Sequence, residues 1–309
     1  AEGIPFLFVL DFDLRSPMII PLLDIDSDHA SGIQFQINKV KTAIASNAQD
    51  IPFSKVPVSF EQYQLGFDQV LKAIKAGDTY LLNLCYSTQM IGIPSLKEIF
   101  DVVSAPYKLY VPGKFVVFSP EQFVSIQDGI IRTYPMKGTI DASLPDAEAT
   151  LLADIKEQEE HATVVDLLRN DLSIVSRKVT VDQYRYISKI STPTKSLLQC
   201  SSAISGILED EFAGKPGSIM HALLPAGSVT GAPKKKTVEL ITAIELEPRG
   251  YYTGIFGVFD GKNLDSAVMI RMIEERGDEY YYRSGGGITY RSVAEQEYQE
   301  VLDKVYIPG

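Results

Sequence analysis

Paired β runs closed by short polar turns constrain this chain most, because a tight hairpin commits both of its strands to antiparallel pairing. Residues 115–118 and 123–133 read as two β runs, the second broken by Asp128-Gly129. Residues 251–290 hold three more, separated by Asp260-Gly261-Lys262-Asn263 and Arg276-Gly277-Asp278 and read as an antiparallel meander. Helical patterns lie between the hairpins. Over 60–76, Ser59 and Gln62 set a capping box, Phe67, Val70, Leu71 and Ile74 share a face, and Gly77 stops the helix. Residues 80–87 then read as a buried strand. A long helix is expected over 146–172, and another after Pro233, which suits a first turn. A last helix opens with Ser292 and Glu295 as a second capping box and runs to about residue 306. Hairpin strands alternating with long helices predict an α+β protein with large antiparallel sheets. No repeat or low-complexity segment divides the chain, and its loosest stretch, 46–57, is too short to separate two domains.

Composition narrows the function. With 309 residues, 45% of them hydrophobic, the chain can bury a large core. A net charge of −11 argues against a nucleic-acid partner, and the run Lys234-Lys235-Lys236 is too short to reverse that. Cys85 and Cys200 are the only cysteines, both in apolar settings, so neither a disulfide framework nor a thiolate metal site is expected. A cytoplasmic location is the expectation, since nothing reads as an export signal or as an apolar run of the roughly 20 residues that cross a membrane.

The chemistry-bearing residues come in sets. Lys137 in Tyr134-Pro135-Met136-Lys137-Gly138-Thr139 and Glu121 in Ser119-Pro120-Glu121 both fall at strand ends, where a meander could bring them together. Facing one cavity, they could act as nucleophile and general acid; apart, they are a surface lysine and an unrelated glutamate. Glu157 with Glu160, and Glu297 with Glu300, form two i,i+3 carboxylate pairs, each of which sets like charges side by side on a helix. Such a pair is either a solvated acidic face or a place for a hard cation such as Mg²⁺, which takes a few carboxylates and keeps several waters. Lys304 extends the second stripe. The Gly227-Ser228-Val229-Thr230-Gly231-Ala232-Pro233 loop leads toward a helix and offers backbone N–H groups to an anion, but lacks the P-loop pattern. Gly285-Gly286-Gly287 is either a flexible turn or a place where backbone approaches a ligand. Arg271 stands in an apolar run, Val268 to Ile273, and needs a carboxylate partner from protein or substrate. His29, His161 and His221 have no evident catalytic context.

Together these motifs, spread from about residue 60 to 304, resemble the chorismate-utilising enzymes. The resemblance implies two extensive, mostly antiparallel sheets packed together with helices outside, in one chorismate-binding catalytic domain over residues 1–309, a compact form with a shortened N-terminal region. It implies a Mg²⁺ site with Glu160 and Glu300 as direct ligands and Glu157 and Glu297 acting through water. It makes Tyr252 and Arg271 the clamp on the enolpyruvyl carboxylate, with Gly285, Gly287, Thr230, Gly231 and Lys304 completing the substrate site. Asp166, Arg169, Asn170 and Asp171 match a family signature and read as structural. Lys137 in the Pro-x-Lys-Gly-Thr position is similar to the aminodeoxychorismate synthase component I branch, which implies conversion of chorismate and ammonia to 4-amino-4-deoxychorismate, in 4-aminobenzoate and folate synthesis, with Glu121 as acid. The alternatives are anthranilate synthase component I, isochorismate synthase and a non-catalytic chorismate-binding subunit. Relatives that add water carry a lysine where this chain has Leu81, and many carry a histidine where it has Gln199. Neither cysteine lies in a glutaminase elbow and no lyase domain is evident, so ammonia is expected from a separate glutamine amidotransferase subunit.

Overall fold

The computed structural model describes residues 3–25, 32–37, 51–191 and 196–308, with only the backbone of Lys156, Ile190 and Ser191. His29 and residues 46–50 of the loose stretch lie outside the described residues. Among the described residues two antiparallel sheets carry the fold, one of nine strands and one of eight. Their inner faces meet in a core of Leu7, Val9, Leu109, Phe115, Val117, Phe256 and Met272. Strand Phe6–Leu10 shows how the layers arise: Leu7 and Val9 point between the sheets, while Phe8 points outward under the helices. The helix Ile155–Val175 lays Val164, Leu168 and Leu172 on that outer face of the larger sheet, beside helix Pro216–Leu223. Helices Phe60–Ala76, Lys234–Ile244 and Ala294–Asp303 cover the smaller sheet around Leu82, Leu84 and Tyr86. The α+β expectation of two packed sheets with helices outside therefore holds. Among the described residues no helix is long and apolar enough to cross a membrane.

Several local readings hold as well. Helix Phe60–Ala76 starts where the Ser59 hydroxyl accepts from the Gln62 N–H and stops at Gly77 in the left-handed region. Asp128 and Gly129 both take positive φ, the turn geometry that joins strands Gln122–Gln127 and Ile130–Thr133. Others need correction. The helix expected over 146–172 is two, Ala147–Ala153 and Ile155–Val175, because Asp154 takes an extended conformation and its carboxylate caps the Glu157 N–H. Pro233 is an N-cap and not a first-turn residue. The last helix starts after Val293, and Ser292 instead accepts from the Thr289 N–H, so the second capping box does not form. The triple glycine is no turn: residues 285–287 lie inside strand Glu279–Ile288, paired with strand Leu81–Ile91.

The meander expected over 251–290 is split between the two sheets. Strands Ile255–Phe259 and Leu264–Val268 belong to the larger sheet, Met272–Arg276 and Glu279–Ile288 to the smaller. The apolar run that seemed continuous breaks at Met269-Ile270-Arg271, with Arg271 at φ 54°. A second crossing lies at Pro120-Glu121, between Phe115–Ser119 of the smaller sheet and Gln122–Gln127 of the larger. The two crossings are stitched together: the Phe118 N–H donates to the Arg271 carbonyl at 3.0 Å, and the Val268 N–H to the Glu121 carbonyl at 3.1 Å. Glu121 and Arg271 thus stand where the sheets part, and the functional cavity opens there.

Candidate active site

A cavity of about 400 Å³ is bordered by Glu121, Lys137, Glu157, Glu160, Tyr252, Arg271, Gly285, Glu300 and Lys304, nine of the thirteen residues singled out from sequence. Glu121 is set by its crossing, and its backbone N–H is held by the Ser119 hydroxyl. Its Oε1 accepts from the Ser228 hydroxyl at 2.8 Å. Burial raises its pKa; the Ser228 bond and then the charges of Lys137, Arg271 and Lys304 oppose that rise without cancelling it. A carboxyl in this state keeps its proton at higher pH than a solvated one, as a general acid requires.

Lys137 does not end a strand. It lies within strand Met136–Asp141 at a register shift between Met136 and Thr139, next to Gly138 at φ 79°. Such a bulge re-aims the side chain it carries. Here it brings Nζ to 3.6 Å from Glu160 Oε2, both side chains about one-third exposed. Glycine is favoured at 138 because φ there lies in the left-handed region; a Cβ would also meet the tips of Leu151 and Glu157, at 2.9 and 3.0 Å.

The two carboxylate pairs come from helices on opposite sides. Glu157 and Glu160 lie on Ile155–Val175, Glu297 and Glu300 on Ala294–Asp303. Lys304 Nζ bridges Glu300 Oε1 at 2.6 Å and the Gly285 carbonyl at 2.8 Å. Gly286 faces the same helix: a Cβ there would make ordinary contacts with Glu297 Oε2, Glu300 Oε1 and Lys304 Nζ, at 3.6 to 4.0 Å. Among the described residues no cluster of three or more acidic, histidine or cysteine side chains closes into a cage. The chemistry of the donor set nevertheless fits Mg²⁺, a hard ion that binds through one or two carboxylates and keeps its waters.

Arg271 has no carboxylate partner among the described residues. Its buried Nε has no hydrogen-bond partner, and its guanidinium carbon lies 5.1 Å from the Tyr306 ring centre. A buried donor without an acceptor is costly, and the side chain that carries it borders the cavity. Tyr252 is buried beside it, with the Arg283 guanidinium 5.4 Å from its ring centre.

Four of the residues singled out fall elsewhere. Gly287 and Glu297 border an adjoining cavity that shares Lys137 and Glu160 with the first. Thr230 is buried with its hydroxyl on the Ala226 carbonyl, and Gly231 pairs with Leu82. Gly227–Thr230 is itself one helical turn, so the segment presents Ser228 and Val229 to the cavity and not Thr230 or Gly231. Leu81 borders the adjoining cavity and Gln199 the first. His161 is buried, shares a 2.7 Å hydrogen bond with Ser202, and is pushed down to about 4 chiefly by burial. Asp171 is structural, as expected: it pairs with Lys234 at 2.7 Å and accepts from the Gly227 N–H.

Sequence reasoning missed the frame behind these walls. Arg249 and Glu245 form a buried pair at 2.7 Å. Arg249 also donates to the carbonyls of Asn83 and Val229, and Glu245 accepts from the Cys85 N–H, so one ion pair ties strand Leu81–Ile91 to the Gly227–Thr230 turn. Their i,i+4 spacing was the available signal, but it is shared with many surface pairs.

Comparison with known proteins fits this arrangement. The family of chorismate binding enzymes matches residues 24–308, and the chain belongs to it. An uncharacterized PabA-like protein of Haemophilus influenzae is 49% identical over 305 residues, 98% of this chain and 92% of that protein. Anthranilate synthase component 1 3 of Haloarcula marismortui is 36% identical over 253 residues, 76% of this chain and 49% of the relative. Aminodeoxychorismate synthase component 1 of Bacillus subtilis is 33% identical over 260 residues, 78% of this chain and 54% of the relative. The chain thus spans about half the length of these two named synthases. The crystal structure of anthranilate synthase component I from Streptococcus pneumoniae superposes with a TM-score of 0.70 at 28% identity, covering 86% of this chain and 61% of that one.

Proposed function

We propose that this chorismate-binding enzyme aminates chorismate at C4, giving 4-amino-4-deoxychorismate, and so acts as aminodeoxychorismate synthase component I in 4-aminobenzoate and folate synthesis. The observation that carries the proposal is one cavity bordered by an amine, Lys137, and a buried carboxyl of raised pKa, Glu121. Lys137 first gives up its ammonium proton to solvent; the amine then attacks C2 of the ring, the two ring double bonds shift, and the C4–O bond breaks as Glu121 delivers its proton, releasing water. Ammonia then adds at C4, the double bonds shift back, and Lys137 leaves as a neutral amine. The proton shed by the new C4 ammonium returns to Glu121, so the cycle closes with ammonia consumed and water formed.

Chorismate carries two carboxylates. Arg271, with its unpartnered Nε, and Tyr252 are assigned to the enolpyruvyl carboxylate, and Gly285, Gly287 and Lys304 to the remainder of the substrate. Glu160 and Glu300 would hold Mg²⁺ directly, and Glu157 and Glu297 through water. Bound there, the ion would neutralise a substrate carboxylate. Ammonia comes from a separate glutamine amidotransferase subunit, and the reaction is assigned to the cytoplasm. Identity to an anthranilate synthase component is the argument for amination at C2 as a second reading. Leu81, apolar where a base for water would stand, weighs against isochorismate formation. The test is turnover by the purified chain with chorismate, Mg²⁺ and ammonium. A product aminated at C4 that keeps its enolpyruvyl group supports the reading, whereas amination at C2, pyruvate release or an isomer of chorismate contradicts it.

A further inference from the structure

We infer that Ser228 is a positioning residue for the general acid, fixing the Glu121 carboxyl so that the proton to be delivered stands on Oε2. This deepens the proposed amination and rests on it. The Ser228 hydroxyl donates to Glu121 Oε1 at 2.8 Å. A protonated carboxyl has one O–H and one carbonyl-like oxygen; a donor on Oε1 makes that the acceptor and leaves the proton to Oε2.

The serine is itself held. Its carbonyl accepts from Asn83 Nδ2 at 3.3 Å, the next carbonyl, of Val229, accepts from the buried Arg249, and the Gly227 N–H is tied to Asp171. A side chain at 227 would come within 2.7 Å of Asp171 Oδ2, so the turn is fixed from behind as well. The hydroxyl therefore needs no reorganisation when charge develops on the carboxyl. As the proton leaves Oε2 for the C4 oxygen, negative charge spreads to Oε1 and the bond from Ser228 becomes charge-assisted, roughly twice as strong as a neutral one. It thus stabilises the departing state more than the resting acid, which is the condition for raising the rate and not merely the affinity. Lys137, Arg271 and Lys304 reach the same carboxyl through charge, whereas Ser228 holds one particular oxygen.

The test compares Ser228→Ala and Ser228→Thr in the full chain by two readouts. The first is steady-state kinetics with ammonium: Ser228→Ala should lower kcat about 10- to 100-fold, the scale of a lost hydrogen bond to a charged group, with KM for chorismate little changed. Ser228→Thr should restore most of the rate. The second is difference infrared spectroscopy of the resting protein. The protonated-carboxyl C=O band that Glu121→Gln removes should shift to higher frequency in Ser228→Ala and return in Ser228→Thr. A band that is missing in the wild type, or that stays put in Ser228→Ala, overturns the inference, as does a rise in KM with kcat intact. If the band moves as expected but the wild-type protein does not aminate chorismate, the Ser228–Glu121 link stands and the proposed reaction falls. If the protein aminates chorismate but the band does not move, the reaction stands and the role of Ser228 falls.

Discussion

Replacing Lys137 with alanine separates a covalent nucleophile from a bulge residue that happens to face a cavity. Two losses compete in such a variant. The structural one is the ion pair to Glu160, at 3.6 Å between side chains that are 36% and 29% exposed. A pair so open to solvent contributes under about 1 kcal/mol, so the melting temperature should hardly move. The catalytic loss is of another order: removal of a positioned catalytic group is felt as about a 100-fold fall in rate or more, near 3 kcal/mol at the barrier. Lys137→Ala should therefore bind chorismate, melt like the wild type, and turn over at least about two orders of magnitude more slowly. Lys137→Arg should do no better, because a guanidinium stays protonated and cannot attack C2. The assay is single-turnover kinetics with calorimetric binding, alongside intact-mass analysis of protein mixed with chorismate and Mg²⁺ without ammonia. The wild type should show an adduct on Lys137, lost in both variants. Wild-type rates in Lys137→Ala, or no adduct under any condition, would refute the covalent route.

Three further outcomes are expected. Mg²⁺ added to chelator-treated protein should restore chorismate binding and turnover, and Glu160→Gln or Glu300→Gln should weaken the ion more than Glu157→Gln or Glu297→Gln, because a direct ligand loses more than one acting through water; calorimetric Mg²⁺ titration checks this. The isolated chain should use ammonium and ignore glutamine until an amidotransferase subunit is added, and glutamate release in a coupled assay by the chain alone would contradict this. Glu245→Ala strands Arg249 in a site only 2% exposed and should cost about 3–5 kcal/mol of stability by denaturant unfolding, while Lys97→Ala, which breaks an exposed pair, should cost under about 1 kcal/mol.

How much of this was legible in the sequence depended on distance along the chain. The Ser59 cap, the Gly77 stop and the Asp128-Gly129 turn are local, and each stands where its chemistry places it. The crossings at Pro120-Glu121 and Met269-Arg271 were hidden because an apolar run reads alike whether its two halves pair in one sheet or two. That ambiguity also hid why Arg271 is exceptional: it occupies a positive-φ kink and not a strand. The glycines of 285–287 could be read as a flexible turn or as a place for a ligand, and they lie inside strand Glu279–Ile288, paired with strand Leu81–Ile91. Thr230 and Gly231 were assigned by resemblance, and the helical turn at Gly227–Thr230 instead gives Ser228 and Val229 to the cavity. The Ser228–Glu121 bond joins residues 107 apart in the chain, a separation at which no local pattern operates.

Amination at C4 is tested at its root by where nitrogen lands. The purified chain would be incubated with chorismate, Mg²⁺ and ¹⁵N-labelled ammonium, and the product resolved by carbon–nitrogen correlated NMR. The label should appear on C4 of a ring that keeps its enolpyruvyl group. Label on C2, with or without loss of that group, or oxygen in place of nitrogen at C2, would contradict it.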